Sequence, residues 1–134
     1  MLKGIILAAC LTTGYLYTTT QTDALKASIK RGEEVYSANC QSCHMPEGEG
    51  IPGAFPPLAK SDFLMKDQKR AVHIVLHGLS GDIQVNGETY SMEMPPQAHL
   101  SDQEVADVLN YVQNNWGNKA KAAVTPAQVK AARK

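Results

Sequence analysis

Five consecutive residues, Cys40-Gln41-Ser42-Cys43-His44, constrain this chain more than any other stretch. Two thiols three positions apart, followed at once by an imidazole, form the C-x-x-C-H run by which a c-type haem is attached. Each sulfur can form a thioether to one vinyl group of the same porphyrin, and the adjacent histidine then lies under the iron as its proximal ligand. Other uses of paired cysteines fit less well. A structural zinc site needs a second pair of ligands, and the only other cysteine is Cys10, near the start of the chain. A thioredoxin-type dithiol needs a strand–helix setting within an α/β pattern, and none follows the motif.

The length suits one small domain. Of 134 residues, residues 1–24 read as a leader and 119–134 as a tail, which leaves 25–118 for a single modest core. A covalently held haem, one per chain, would add a large apolar body to that core, as metals and disulfides do in other small domains. With 43% hydrophobic and 19% charged residues, the composition is that of a folded chain rather than a disordered one. Charge is unevenly spread. Leu25 to Trp116 holds seven Lys/Arg against twelve Asp/Glu, whereas the stretch after Trp116 holds five Lys/Arg and no acid. An acidic domain with a short basic tail argues against nucleic acid as a partner.

Met1-Leu2-Lys3 gives a positive start, and Gly4 to Tyr17 is uncharged and largely apolar. Fourteen helical residues would reach only about 21 Å, short of the roughly 30 Å hydrocarbon core, which favours a signal peptide. Two alternatives stay open. Leu7-Ala8-Ala9-Cys10 resembles a lipobox that would place a lipid on Cys10, and the segment extended through Thr20 could remain as a membrane anchor. Each places the domain outside the cytoplasm, on the periplasmic side of a bacterial inner membrane, where c-type attachment is made.

The rest of the sequence predicts helices joined by glycine- and proline-rich loops. Leu25 to Asn39 is a first helix with Ile29, Gly32, Val35 and Tyr36 on one face. Gly32 sits mid-helix, where glycine costs about 1 kcal/mol relative to alanine, so a closely crossing helix is expected there. Met45 to Lys60 is a loop that would wrap the haem edge. Its Pro56 carbonyl is a candidate acceptor for the second ring nitrogen of His44, although Pro56 could equally do no more than shape a turn. Ser61 to Leu64 suggests a helical turn, Asp67 to His77 a helix stopped by Gly78, and the turn signal Asn86-Gly87 a small hairpin. Ser101 and Glu104 form a capping box for a last helix whose inward face is Val105, Val108, Leu109 and Val112, with Gly117 as terminator. In the tail, Thr125-Pro126 could open a short helix with Val129 and Ala132 inward, although a frayed basic end is the plainer expectation. Contact with anionic lipid or an acidic partner is the functional alternative.

An electron-carrying haem needs a sixth ligand. Met94 is the leading candidate, because Pro95-Pro96 stiffens the segment that would hold its thioether at the iron. Met92 would point the same way in an extended chain, and His73, His77 and His99 remain open. His73 and His77 are spaced i, i+4 on one helix but have no evident third ligand.

Taken together, the helix with Gly32, Cys40–His44, Phe55-Pro56-Pro57-Leu58, the Tyr90–Pro95 stretch, and Leu100-Ser101-Asp102 leading to Tyr111 and Trp116-Gly117-Asn118 resemble a monohaem class I cytochrome c. The likeness covers roughly residues 29–118, and is greatest to bacterial domains found beside or fused to respiratory enzymes such as copper nitrite reductases and alcohol dehydrogenases. It implies an all-α cytochrome c-like fold with first and last helices crossing near Gly32 and Tyr111. It implies haem c on Cys40 and Cys43, with His44 and Met94 as iron ligands. The expected role is electron transfer rather than catalysis, with redox proteins such as a respiratory complex, terminal oxidase or reductase as partners. The chain would act as a shuttle or as a fixed subunit of a larger membrane complex. A haem enzyme or gas sensor would require an open sixth position.

Overall fold

The computed structural model describes the backbone from Ala8 to Lys134 and side chains from Gln21 onward. The expectations for the positive start at Lys3 and for a lipid on the Cys10 side chain lie outside the described residues. Six helices and one hairpin follow in order: α1 (Ala8–Asn39), α2 (Gln41–His44), α3 (Asp62–Lys66), α4 (Gln68–His77), β1 (Ile83–Val85), β2 (Glu88–Tyr90), α5 (Asp102–Val112) and α6 (Pro126–Ala132). Among the described residues no helix is long and apolar enough to cross a membrane.

The first helix does not begin at Leu25 as its apolar pattern suggested; it runs back without a break to Ala8. No proline interrupts residues 8–39, so nothing local stops the turn-by-turn hydrogen bonding once it has begun. Its second half crosses α5. A Cβ on Gly32 would run into the Asp107 carbonyl and the Tyr111 Cβ, so the absent side chain is what lets the two backbones meet.

That crossing also carries a buried polar knot. Asp107, 1% exposed, accepts from the Ser28 hydroxyl at 2.5 Å, from Arg31 Nε at 2.7 Å and from Gln103 Nε2 at 2.8 Å. Burial pushes the Asp107 carboxyl up, but these donors outweigh it and hold the group below its usual range. Around the knot pack Tyr36, Leu76, Leu100, Val105, Val108, Leu109 and Val112.

The capping box at Ser101 forms as the sequence predicts, with Ser101 Oγ accepting from Glu104 N and the Glu104 carboxylate accepting from Ser101 N. The helix it opens ends at Val112, earlier than Gly117. Beyond it the chain turns tightly, with Trp116 at φ 52° and Gly117 at φ 89°, and Trp116 folds back on Tyr36 and Tyr111 at centroid distances of 5.1 and 5.3 Å. The hairpin forms around Asn86-Gly87, both at positive φ as a two-residue turn requires. The tail is not frayed. Thr125 caps α6, Pro126 stands in its first turn, and Val129 is fully buried against α4 and α5. Arg133 donates to the Asp102 carboxylate and to the Leu100 carbonyl, both at 2.5 Å, and so ties the end of the tail to the start of α5.

Candidate functional site

The C-x-x-C-H run lies where α1 ends and the single-turn helix α2 begins. His44 N donates to the Cys40 carbonyl at 3.0 Å, closing the turn that separates the two cysteines. The next residue, Met45, takes φ 66°; its carbonyl is held by the Tyr36 hydroxyl at 2.7 Å. The loop expected from Met45 to Lys60 then folds back over the imidazole. Gly50 N donates to the His44 carbonyl at 3.0 Å, Leu58 N and Ala59 N donate to the Gly48 carbonyl, and Asn118 Nδ2 ties the Leu58 carbonyl to the end of α5.

This loop delivers the Pro56 carbonyl to 2.9 Å from His44 Nδ1. A carbonyl only accepts, so Nδ1 carries the proton and Nε2 presents a bare lone pair. Burial lowers the pKa of His44, with the Pro56 bond opposing it in part, so the ring is neutral at neutral pH. A neutral imidazole with one nitrogen oriented by a carbonyl and the other open is the form that ligates a metal.

His44 lines an apolar cleft of about 740 Å³, its open mouth included. Pro56 and Leu58 from the loop, Ile74 from α4, Val85 from the hairpin, Leu109 from α5 and Met94 supply its walls. Met94 arrives on a segment bridged to Leu79 by two backbone hydrogen bonds, 2.9 and 3.0 Å long. It is half-buried, whereas Met92 is 58% exposed and does not line the cleft. Two residues apart do not project alike here, because the Leu79–Met94 bridge is isolated and the chain before it is irregular.

Cys40 also lines the cleft, and burial, aided by the nearby Cys43, pushes its thiol up to about 11. Cys43 is half-buried one helical turn on, and neither sulfur is in a disulfide. The other histidines are elsewhere. His73 and His77 meet at a tilt of 41°, 4.4 Å between ring centroids, on the exposed side of α4, with His77 Nε2 donating to the Ala132 carbonyl, and His99 lies 3.2 Å from the Asn39 side chain. Among the described residues no group of three metal-ligating side chains comes together. The chemistry of the cleft therefore suits a flat apolar group with a central metal: one imidazole nitrogen and one thioether in a greasy enclosure, with the Cys40 thiol in its lining and Cys43 one helical turn on.

Sequence reasoning missed one lining residue, Arg70, which brings a guanidinium to this apolar wall. Six positions before the buried Leu76, it lies off that residue's face of the helix, so periodicity gave no signal for it.

The sequence matches the family described as Cytochrome c over residues 29–116. It is 43% identical over 94 residues to cytochrome c-552 of Thermus thermophilus, covering 67% of this chain and 71% of that protein. It is 37% identical over 100 residues to the cytochrome c subunit of a quinone alcohol dehydrogenase from Gluconobacter oxydans, and 34% identical over 126 residues to the gluconate 2-dehydrogenase cytochrome c subunit of Pantoea cypripedii. These alignments cover 73% and 86% of this chain but only 21% and 28% of those subunits.

Proposed function

The chain belongs to the cytochrome c family, and we propose that it carries single electrons through one haem c bound by Cys40 and Cys43 and ligated by His44 Nε2 and Met94 Sδ. The haem supplies a one-electron ferric/ferrous couple. The observation that carries the ligand assignment is the joint presence of the bare His44 nitrogen and the Met94 thioether in one apolar cleft, while Met92 is turned to solvent.

Each residue has a separable task. The Pro56 carbonyl holds the proton on Nδ1 and so keeps Nε2 available. The Leu79–Met94 bridge and the prolines after it hold the thioether segment in place. The apolar walls exclude water. His44 and Met94 would both hold the haem iron, which would leave no open position for a substrate, as suits a carrier rather than an enzyme. A methionine and a histidine as ligands would give a higher reduction potential than two histidines.

The protein exchanges electrons with redox partners, and contacts of that kind are small and brief, below about 1,200 Å². We place it on the periplasmic side of a bacterial inner membrane, as a shuttle between respiratory proteins. A second reading, a fixed subunit of a membrane dehydrogenase complex, draws support from the named dehydrogenase subunits among its relatives. Co-purification with a large assembly after detergent extraction supports the fixed subunit, and a soluble monomeric pool supports the shuttle.

Intact mass of protein from its native host tests the attachment: the mass of one haem persists after denaturation and acid–acetone extraction. Pigment that extracts freely overturns it. Carbon monoxide tests the ligation. The ferrous protein is expected to bind it hardly at all at neutral pH, and rapid binding overturns the six-coordinate assignment.

A further inference from the structure

We propose that Arg133 is a positioning residue for the Met94 ligand: with Ala132 it clasps both roots of the segment that carries Met94, and so governs how often the thioether leaves the iron. The inference rests on the reading above that Met94 ligates a haem. It concerns residues outside 29–116, the stretch that matches the family.

The Met94 segment is poorly furnished for holding itself. Met94 is bridged to Leu79, two residues past His77 at the end of α4, and the chain then runs through 95–101 without helix or strand to Asp102 at the start of α5. Pro95 and Pro96 have no N–H to give. A fixed course for this stretch therefore depends on donors from elsewhere. Gln97 N donates to the Val75 carbonyl at 2.8 Å, and His99 Nε2 lies 3.2 Å from Asn39 Oδ1. Arg133 supplies more than either. Its Nε donates to the Asp102 carboxylate at 2.5 Å, one terminal nitrogen to the Leu100 carbonyl at 2.5 Å, and the other to the Ala98 carbonyl at 3.3 Å. At the opposite root, His77 Nε2 donates to the Ala132 carbonyl at 3.0 Å. Two adjacent residues thus hold the chain on both sides of Met94.

The helix behind them is able to bear this. Thr125 and Gln128 form a capping box at the start of α6, and Val129 is 0% exposed against α4 and α5. A lone surface pair between Arg133 and Asp102 would be worth little. Here the side chain is only 32% exposed, and the same planar fork also binds two backbone carbonyls, which fixes its plane. The roots are also pressed together. A Cβ on Gly78, next to His77, would meet the Met94 carbonyl at 2.6 Å and Pro96 N at 3.0 Å, so a shift of one root moves the other. Without the clasp, the Met94 segment keeps little beyond the Leu79 bridge, Gln97 N and the His99 contact, and regions with few ties open first. An iron that lost its thioether would also lose the higher potential that methionine confers.

The test uses the intact holoprotein and two readouts, amide hydrogen exchange and the rate at which the ferrous protein binds carbon monoxide at neutral pH. In the unsubstituted protein the amides of Leu79, Met94 and Val129 are expected to exchange through one shared opening, with the same free energy and denaturant dependence. Separate openings for the Met94 segment and α6 overturn the inference without any variant. Arg133→Met keeps the stem and removes the fork. It is expected to speed carbon monoxide binding about tenfold, the change that one lost hydrogen bond to a charged group is worth. Arg31→Met, which breaks the ion pair at the α1–α5 crossing instead, controls for a loss of overall stability: it is expected to lower the melting temperature at least as much and to leave the carbon monoxide rate nearly unchanged. Equal acceleration in the two variants, or none in Arg133→Met, overturns the clasp and leaves the carrier standing. Rapid carbon monoxide binding by the unsubstituted protein would sink both.

Discussion

The wall that carries His44 and the wall that carries Met94 are built by different means. The histidine side is tied through closely spaced bonds: His44 N to Cys40, Gly50 N to His44, Tyr36 to Met45, Leu58 and Ala59 to Gly48. It is braced from behind by the α1–α5 crossing and the Tyr36–Tyr111–Trp116 cluster. The methionine side has the two bonds of the Leu79–Met94 bridge and one from Gln97 N to the Val75 carbonyl. Its neighbours Met92, Glu93, Pro95 and Pro96 are all exposed. One ligand is therefore mounted on the scaffold and the other on a strap across it. Local stability follows the density of buried contacts, so the methionine side should open first under any mild stress.

The sharpest way to break this asymmetry is to attack the stronger wall. Gly50 has φ 63°, and a Cβ there would collide with the Phe55 carbonyl. Gly50→Val should therefore cost about 3 kcal/mol or more through overpacking and left-handed strain. In a domain of ordinary stability that is expected to show as a poor yield of haem-loaded protein and a broad early melt. A Gly50→Val protein that melts like the unsubstituted one would mean that the loop is not the rigid mount described here.

Met94→Ala attacks the strap. Truncating a half-buried methionine should cost about 2 kcal/mol by the usual large-to-small scale, with the haem still attached. The ferrous protein should then bind carbon monoxide rapidly and the ferric protein should lose the charge-transfer band of an iron–thioether bond. Met92→Leu should change stability by less than about 0.5 kcal/mol, as exposed substitutions do, and leave both spectra alone. Reversal of these two results would reassign the ligand.

Acid offers a way to invert the comparison. The folded-state pKa of Asp107 is depressed, so its contribution is fully present above the unfolded value, about 3.9, and is lost as pH falls through the folded one. Below about pH 4 the brace behind the histidine wall should weaken. Asp107→Asn should lose about 1.5 kcal/mol at neutral pH, on the scale of hydrogen bonds to a charged group, and flatten the acid limb of the melting curve. A smaller effect than that of Asp107→Asn is expected at Pro56. Pro56→Ala keeps the carbonyl that orients His44 and only loosens the loop, by about 0.5–1 kcal/mol. A large loss of haem binding in that variant would mean that the ring, not the carbonyl, is what matters.

What could be read from the sequence follows the range of the interaction involved. The capping box, the Asn86-Gly87 turn and the C-x-x-C-H run depend on residues a few positions apart, and each is visible as a pattern. Gly32 was legible for a related reason, since a costly glycine in a helix advertises a close neighbour. The Asp107 knot was not, because Ser28 and Asp107 are 79 positions apart and an acid within an apolar face has no periodic signature. Arg70 escaped likewise: charge on an amphipathic helix ordinarily faces water, and only the placement of Phe63 turns it inward. The helix at Thr125-Pro126 was legible as an option, but not its order, because the groove between α4 and α5 that receives Val129 exists only after folding. The start of α1 was placed too late because its apolar face begins at Ile29, although the helix itself does not need that face to continue.

Among the described residues neither α6 nor α1 lines the cleft, although α1 leads directly into Cys40. The second half of α1 and the whole of α6 pack instead against α5. Mass carried on the outer side of either helix would thus leave the cleft unshaded, which makes this fold a natural bead for stringing in series.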